Sequence, residues 1–330
     1  MNFGSEKELM KMNKNNKLVR SISHYSKQIG GFAARHGNLI ASCDGVGTKI
    51  LLAQQAKRRY GRPLTSIGID CVAMVINDLL CNGCEPLFFL DYFSSADIDE
   101  EDFKEVLDGM YFGCSKIGIE LVGGETAELP GIIEKDTFDV CGFGVGISMG
   151  SLPKSNMQAG DIVIGLPSTG FHSNGYTTIR KHIEAVPNLN TEIPFAKTEK
   201  DFIYSLLEPT KIYKEELDAI KEANIEIKGV AHITGGGHTN IKRILPKNLI
   251  CNYRLYHSEQ SGNKSNETRF FRHEKLFQWI QKEANLTKKQ MMKTFNCGVG
   301  MIVIVPEDSE WQYLSNVLKE HLILGELEEK

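Results

Sequence analysis

The chain has 330 residues, 41% of them hydrophobic and 24% charged, with a net charge of −4. That length supports two domains with full hydrophobic cores, and that charge excludes a general pull toward nucleic acid. No run of about 18 apolar residues marks a membrane span, and the polar first twenty residues hold no apolar signal-peptide core.

Eight cysteines, at positions 43, 71, 81, 84, 114, 141, 251 and 297, sit mostly inside apolar segments. This usage predicts reduced thiols and a cytoplasmic protein. Cys81 and Cys84 have CxxC spacing, but no second pair follows to complete a zinc site. They follow a helical stretch rather than open one, so the pair reads as core packing around a helix-ending Asn-Gly turn. The basic stretch 11–20 reads as a solvated end.

In chain order, residues 38–42 form a short apolar strand feeding Asp44, and 51–59 are helical. Residues 65–69 are strand-like, and 71–80 carry apolar residues at helical spacing. Residues 87–93 are β-rich, 101–117 an amphipathic helix, and 119–122 a strand leading into Gly123. Residues 138–149 alternate small and apolar side chains as a buried strand does. The pattern restarts after Pro153, which places a domain boundary near 150–160 and divides the chain into 1–150 and 151–330. Strands follow at 162–166, 229–232 and 298–305, with helices at 176–183, 210–223, 239–245, 270–283 and 309–321. The polar stretch 252–268 reads as a mobile insertion.

Four glycine-rich polar strings punctuate these elements: Asp44-Gly45-Val46-Gly47-Thr48-Lys49, Gly123-Gly124-Glu125-Thr126-Ala127-Glu128, Gly170-Phe171-His172-Ser173-Asn174-Gly175-Tyr176 and His232-Ile233-Thr234-Gly235-Gly236-Gly237. Glycines admit a ligand close to backbone amides, and the neighbouring polar groups can hold phosphate or metal. Asp44 offers a hard oxygen for Mg²⁺, Thr48 a hydroxyl, and Lys49 a charge for phosphate. In isolation that string reads equally as a tight turn. Asn77 and Asp78 end a helical stretch, either as a surface step or as inward ligands. Asp70 lies about 80° round the helix from Asp78, so both can reach one cleft. Glu125 adds a third carboxylate in a backbone nest. His172, among small polar groups before a helix, is a candidate proton shuttle or phosphate ligand. Thr234, Gly235, Gly236 and Gly237 form a candidate anion nest, with His232 as the rival acid–base group.

These strings, with Glu85-Pro-Leu-Phe-Phe-Leu-Asp-Tyr92 and Thr294-Phe-Asn-Cys-Gly-Val-Gly-Met301, resemble the phosphoribosylformylglycinamidine cyclo-ligase (aminoimidazole ribonucleotide synthetase) family. The resemblance runs from about Gly30 to Pro306. It implies an α/β (α+β) fold of two domains, the first closing an intersubunit barrel in a homodimer and the second a layered α/β domain. It implies ATP, Mg²⁺ and formylglycinamidine ribonucleotide as ligands, and no nucleic-acid or membrane partner. Carried onto this chain, Asp44, Asp78 and Glu125 hold the metal. Gly45, Gly47, Thr48, Lys49, Asn77, Gly123, Gly124 and Thr126 complete the ATP site. Ser173, Asn174, His232 and residues 234–237 meet the ribonucleotide, and His172 and Lys49 act in catalysis. The family's N-terminal segment differs: Asn16 aligns with an ATP-associated Asn, but Ser23 stands where a Lys is expected. A small-molecule kinase of the same superfamily, or a catalytically weak dimerisation partner, are the alternatives.

Overall fold

The computed structural model describes residues 18–19, 21–22, 24–26, 28–184, 196–253, 273–307 and 313–330. Asn16, Ser23 and most of the 252–268 stretch lie outside them. The first sheet is made by β1 (Ala34–His36), β2 (Leu39–Gly45), β3 (Cys84–Ser95), β4 (Glu120–Glu128) and β5 (Phe138–Ser148). Its strand order is β1-β2-β5-β3-β4, with β3 and β4 parallel and the other neighbours antiparallel.

Helices α1 (Lys49–Tyr60), α2 (Thr65–Leu80) and α3 (Glu100–Lys116) belong to this half. The alternation of β5 explains how they pack. Gly142, Gly144 and Gly146 are buried while Phe143 and Ile147 are exposed. A side chain at Gly144 would meet Val75 and Leu79 of α2, so the glycine row is the face that receives the helix.

Residues 65–69, expected as a strand, are instead the first turns of α2. Local β-propensity of Thr65, Ile67 and Ile69 is worth only tenths of a kcal/mol each. It loses to a close helix–helix contact. A Cβ on Gly68 would lie 1.9 Å from the Val106 carbonyl oxygen, and one on Gly109 would lie 2.0 Å from that of Thr65. Two facing glycines let α2 and α3 touch backbone to backbone, burying Ile67, Cys71 and Val106. Helix α3 is capped by Asp99, whose side chain accepts from the Asp102 amide at 2.9 Å.

The second sheet joins β6 (Ile162–Pro167), β7 (Gly229–His232), β8 (Leu249–Tyr253), β9 (Val299–Val305) and β10 (Leu322–Glu329) in the antiparallel order β7-β9-β6-β10-β8. Around it stand α4 (Tyr176–Glu184), α5 (Glu199–Leu206), α6 (Lys214–Glu222), a 3₁₀ helix (Gly237–Arg243), α7 (Glu274–Glu283), α8 (Lys288–Thr294) and the short α9 (Leu314–Val317). Two differences from the sequence reading stand out. The helix expected at 309–321 is described only as α9, and β10, which that reading did not contain, fills the place between β6 and β8. Residues 210–213 are a connecting segment rather than the start of α6. All eight cysteines are free thiols.

Candidate functional site

Three of the four strings meet where the two halves join. Asp44 is the penultimate residue of β2, and its Oδ1 accepts from the Gly45 amide at 2.8 Å. Thr48, next along the string, has its hydroxyl 3.5 Å from that of Thr177, just beyond the third string. Within that third string, the Asn174 amide oxygen stands 3.4 Å from where a Gly235 Cβ would be, so the third and fourth strings touch. The circuit closes through His232, whose Nδ1 lies 2.8 Å from Asp78 Oδ1.

Electrostatics mark the same corner. Burial first, and then the negative charge of Asp78, push the Asp44 carboxyl above its ordinary value. Two carboxylates crowded in a partly dry corner are what a divalent cation relieves. Among the described residues no group of three or more His, Cys, Asp or Glu side chains is arranged to hold a metal. The Asp44–Asp78 pair would suit Mg²⁺, an ion usually held by one or two carboxylates while phosphate oxygens and water supply the rest.

The fourth string's nest is internally braced. The Gly237 amide donates to the Thr234 carbonyl at 2.7 Å, and Asn240 Nδ2 donates to Thr234 Oγ1 at 2.8 Å and to the His232 carbonyl at 3.0 Å. Ser173 lies 3.0 Å from Thr210 Oγ1.

Several expected ligands are placed differently. Lys49 is fully buried, with Nζ 2.7 Å from Asp70 Oδ2 and donating to the Glu208 carbonyl at 2.7 Å. Its charge is consumed by Asp70, and burial lowers its pKa, so it is a tie between the halves rather than a phosphate ligand. Asp70 also accepts from the Thr210 amide and hydroxyl at 2.7 and 2.6 Å, so it does not share a cleft with Asp78. Asn77 is likewise a buried tie, donating to the Lys211 carbonyl at 2.8 Å and accepting from the Tyr213 amide at 3.1 Å.

Glu125 belongs to no nest. Gly123, Gly124, Glu125 and Thr126 lie within exposed β4. Glu125 stands in register with Tyr92, Cys141 and Gly45, on the face away from the helices. Three strand spacings separate it from β2, about 14 Å. Within one chain it does not join Asp44 and Asp78.

The family comparisons bear on the fold and the family. Residues 31–148 match the AIR synthase related protein N-terminal domain family, and residues 158–329 match the corresponding C-terminal domain family. The chain belongs to the AIR synthase related family. Phosphoribosylformylglycinamidine cyclo-ligases from Neisseria meningitidis (serogroup C) and Chromobacterium violaceum are 40% and 39% identical to it, over 89% of this chain and 85% of each relative. Among solved structures, thiamine monophosphate kinase from Aquifex aeolicus superposes with a TM-score of 0.59 at 15% identity, covering 96% of this chain and 95% of its own. Hydrogenase maturation protein HypE in complex with ATP gives 0.60 at 17% identity, covering 90% and 78%. Both share the AIR synthase-like fold.

In this family member the two histidines differ in surroundings. His172 is buried in a left-handed conformation (φ 59°), and its Nε2 accepts from the Thr169 amide at 3.2 Å. Burial, followed by the charges of His232 and Lys49, holds its pKa well below the ordinary imidazole value. It is therefore a neutral ring that shapes its turn. His232 instead has the Asp78 carboxylate on Nδ1, an arrangement that fixes its tautomer and orients the ring. Sequence reasoning gave no role to Asp91. It shares a register row with Gly142 and Asp44, and its carboxylate covers Gly124 of β4. Burial pushes it up to about 6. Its signal was a lone acid within the otherwise apolar stretch 86–93 of β3.

Proposed function

We propose that this chain is an ATP-dependent cyclo-ligase converting formylglycinamidine ribonucleotide to 5-aminoimidazole ribonucleotide, with release of ADP and phosphate, in purine biosynthesis. Identity of about 40% to cyclo-ligases over most of both chains carries the reading, and the junction of three strings supports it. In this reaction the formyl oxygen takes the γ-phosphoryl group of ATP and becomes a leaving group. The amidine nitrogen then attacks that carbon, phosphate departs and the imidazole ring closes. The chemistry asks for clamped phosphates, charge neutralisation and a proton acceptor, and no protein nucleophile.

We assign Asp44 and Asp78 to Mg²⁺, which would neutralise phosphate charge, with Gly45, Gly47 and Thr48 at the phosphates. Residues 234–237, Ser173 and Asn174 bind the ribonucleotide phosphate. His232, oriented by Asp78, is the acid–base group in preference to His172. Residues 1–150 form the ATP and dimerisation half, and 151–330 the substrate half. A homodimer is part of the reading. Leu39, Tyr92, Phe143 and Ile147 are exposed large apolar side chains on the open face of the first sheet, and a second copy covering them would also enclose Gly123, Gly124, Glu125 and Thr126. Eight free thiols suit a reducing cytoplasm.

The test is ATP-dependent formation of the diazotisable aminoimidazole product. Asp44→Asn should lower turnover roughly 10²–10³-fold, and His232→Asn roughly 10²–10⁴-fold, with His172→Asn affected less. A His232→Asn enzyme with near-normal turnover beside a dead His172→Asn would reverse the histidine roles. Phosphate release without ring closure would point to a kinase.

A further inference from the structure

Away from the string junction, the second domain carries a cavity of about 820 Å³ walled by the 3₁₀ helix, β8 and α8. None of its lining residues belongs to the site described above. Its trough is apolar, formed by Ile241, Leu245, Ile250 and Met292, and closed by the edge-to-face rings of His238 and Tyr253, whose centroids are 5.5 Å apart. Lys242, Lys247, Lys288, Lys289 and Lys293 surround the trough, and no Asp or Glu lines it. Among the described residues, no carboxylate pairs within 4 Å with Lys242, Lys247, Lys289 or Lys293.

Like charges so gathered repel, and an apolar trough beneath them stays poorly hydrated. A single ligand satisfies both conditions: an apolar ring below and an anionic group above. The rings and the Met292 thioether favour an aromatic body over an acyl chain. The cavity also falls in the usual size range for a small-molecule site.

The walls of this cavity hold the Thr234–Gly237 loop from behind. The 3₁₀ helix begins at Gly237 itself, and a Cβ there would lie 2.0 Å from the Met292 carbonyl oxygen, so α8 rests directly on the nest. Thr239, another lining residue, donates its hydroxyl to the Gly236 carbonyl at 2.5 Å.

We propose that this cavity binds a small aromatic anion, such as an aryl phosphate or a nucleotide, and thereby sets the conformation of the neighbouring glycine nest. The probe is 1-naphthyl phosphate, titrated calorimetrically against the full chain in the presence of saturating ATP. One site per chain is expected, with 1-naphthol and inorganic phosphate each binding at least tenfold more weakly. The surface double variant Lys247→Glu/Lys293→Glu should lose roughly tenfold or more in affinity, since it removes two charge-assisted contacts to the anion. Its unfolding midpoint should stay unchanged. Bound probe should protect Lys289 and Lys293, but not Lys57, from acetylation read by peptide mass. Unaltered affinity in the double variant, or equal binding of 1-naphthol, overturns the site.

The coupling rests on the function proposed above. Saturating probe should shift KM for the ribonucleotide severalfold in the unaltered enzyme and leave it unchanged in the double variant. An unshifted KM overturns the coupling. The acetylation arm needs no turnover, so failure of the site and failure of the cyclo-ligase reading are told apart.

Discussion

Along β9 every residue from Val299 to Val305 is buried, whereas along the nine residues of β4 only Leu121 and Ala127 are even half-buried. Strand β9 is covered on both faces and reads in sequence as an unbroken apolar run. The first sheet is covered by α2 on one face only, and its other face shows Phe143 and Ile147 to solvent. The middle of the second sheet is therefore a core. The first sheet is a core on one side and an unfinished surface on the other, with one polar string at its far edge and another at the end of β2. The difference teaches that the middle of the second sheet supplies stability, while the open face of the first is where the proposed dimer would form.

The largest effect is expected at the tie. Lys49→Met should leave Asp70 as an uncompensated buried charge and cost about 3–5 kcal/mol of unfolding free energy in a denaturant titration. A loss below about 1 kcal/mol would show that the halves are held together by something else. On the closed sheet, Ile302→Ala should cost about 2–5 kcal/mol, since the cavity cannot refill with water. That loss should not depend on protein concentration.

The open face should behave in the opposite way. Phe143→Asp should leave the circular dichroism spectrum intact and convert dimer to monomer in sedimentation, raising the dissociation constant roughly hundredfold. If the unaltered protein sediments only as monomer at micromolar concentration, the open face serves some partner other than a second copy.

The smallest effect concerns pH. Asp91 sits at about 6 when folded, above its ordinary 3.8. The folded state thus holds the proton more tightly, and this group makes stability fall as pH rises from about 4 to 6. Asp91→Asn should flatten that part of the stability profile and raise the melting temperature at pH 7 relative to the unaltered chain. A profile of unchanged slope would place the Asp91 carboxylate in water.

Much of the fold was legible because it is periodic. The apolar spacing of α3, the small–apolar alternation of β5 and the run of β9 each announce their element and their buried face. Residues 65–69 misled because β-branched side chains favour a strand locally, while the deciding contact is Gly68 against Gly109, residues far apart in the chain. Strand β10 was missed because Leu322–Glu329 carries alternating acids typical of an exposed end, and its pairing with β6 and β8 is invisible locally.

For the site, the sequence by itself determined the inventory: four glycine-rich strings, their acids and histidines, and the family whose chemistry they carry. Those depend on residue identity, which a chain displays directly. Only the tertiary structure decided which members meet. Asp44, Asp78 and His232 converge, Lys49 and Asp70 neutralise one another in the dark, and Glu125 stands on the opposite face of its sheet. The reason is geometric. Strand register and helix packing assign each side chain to one face, and a one-residue step along a strand reverses that face, a choice settled by contacts between distant segments.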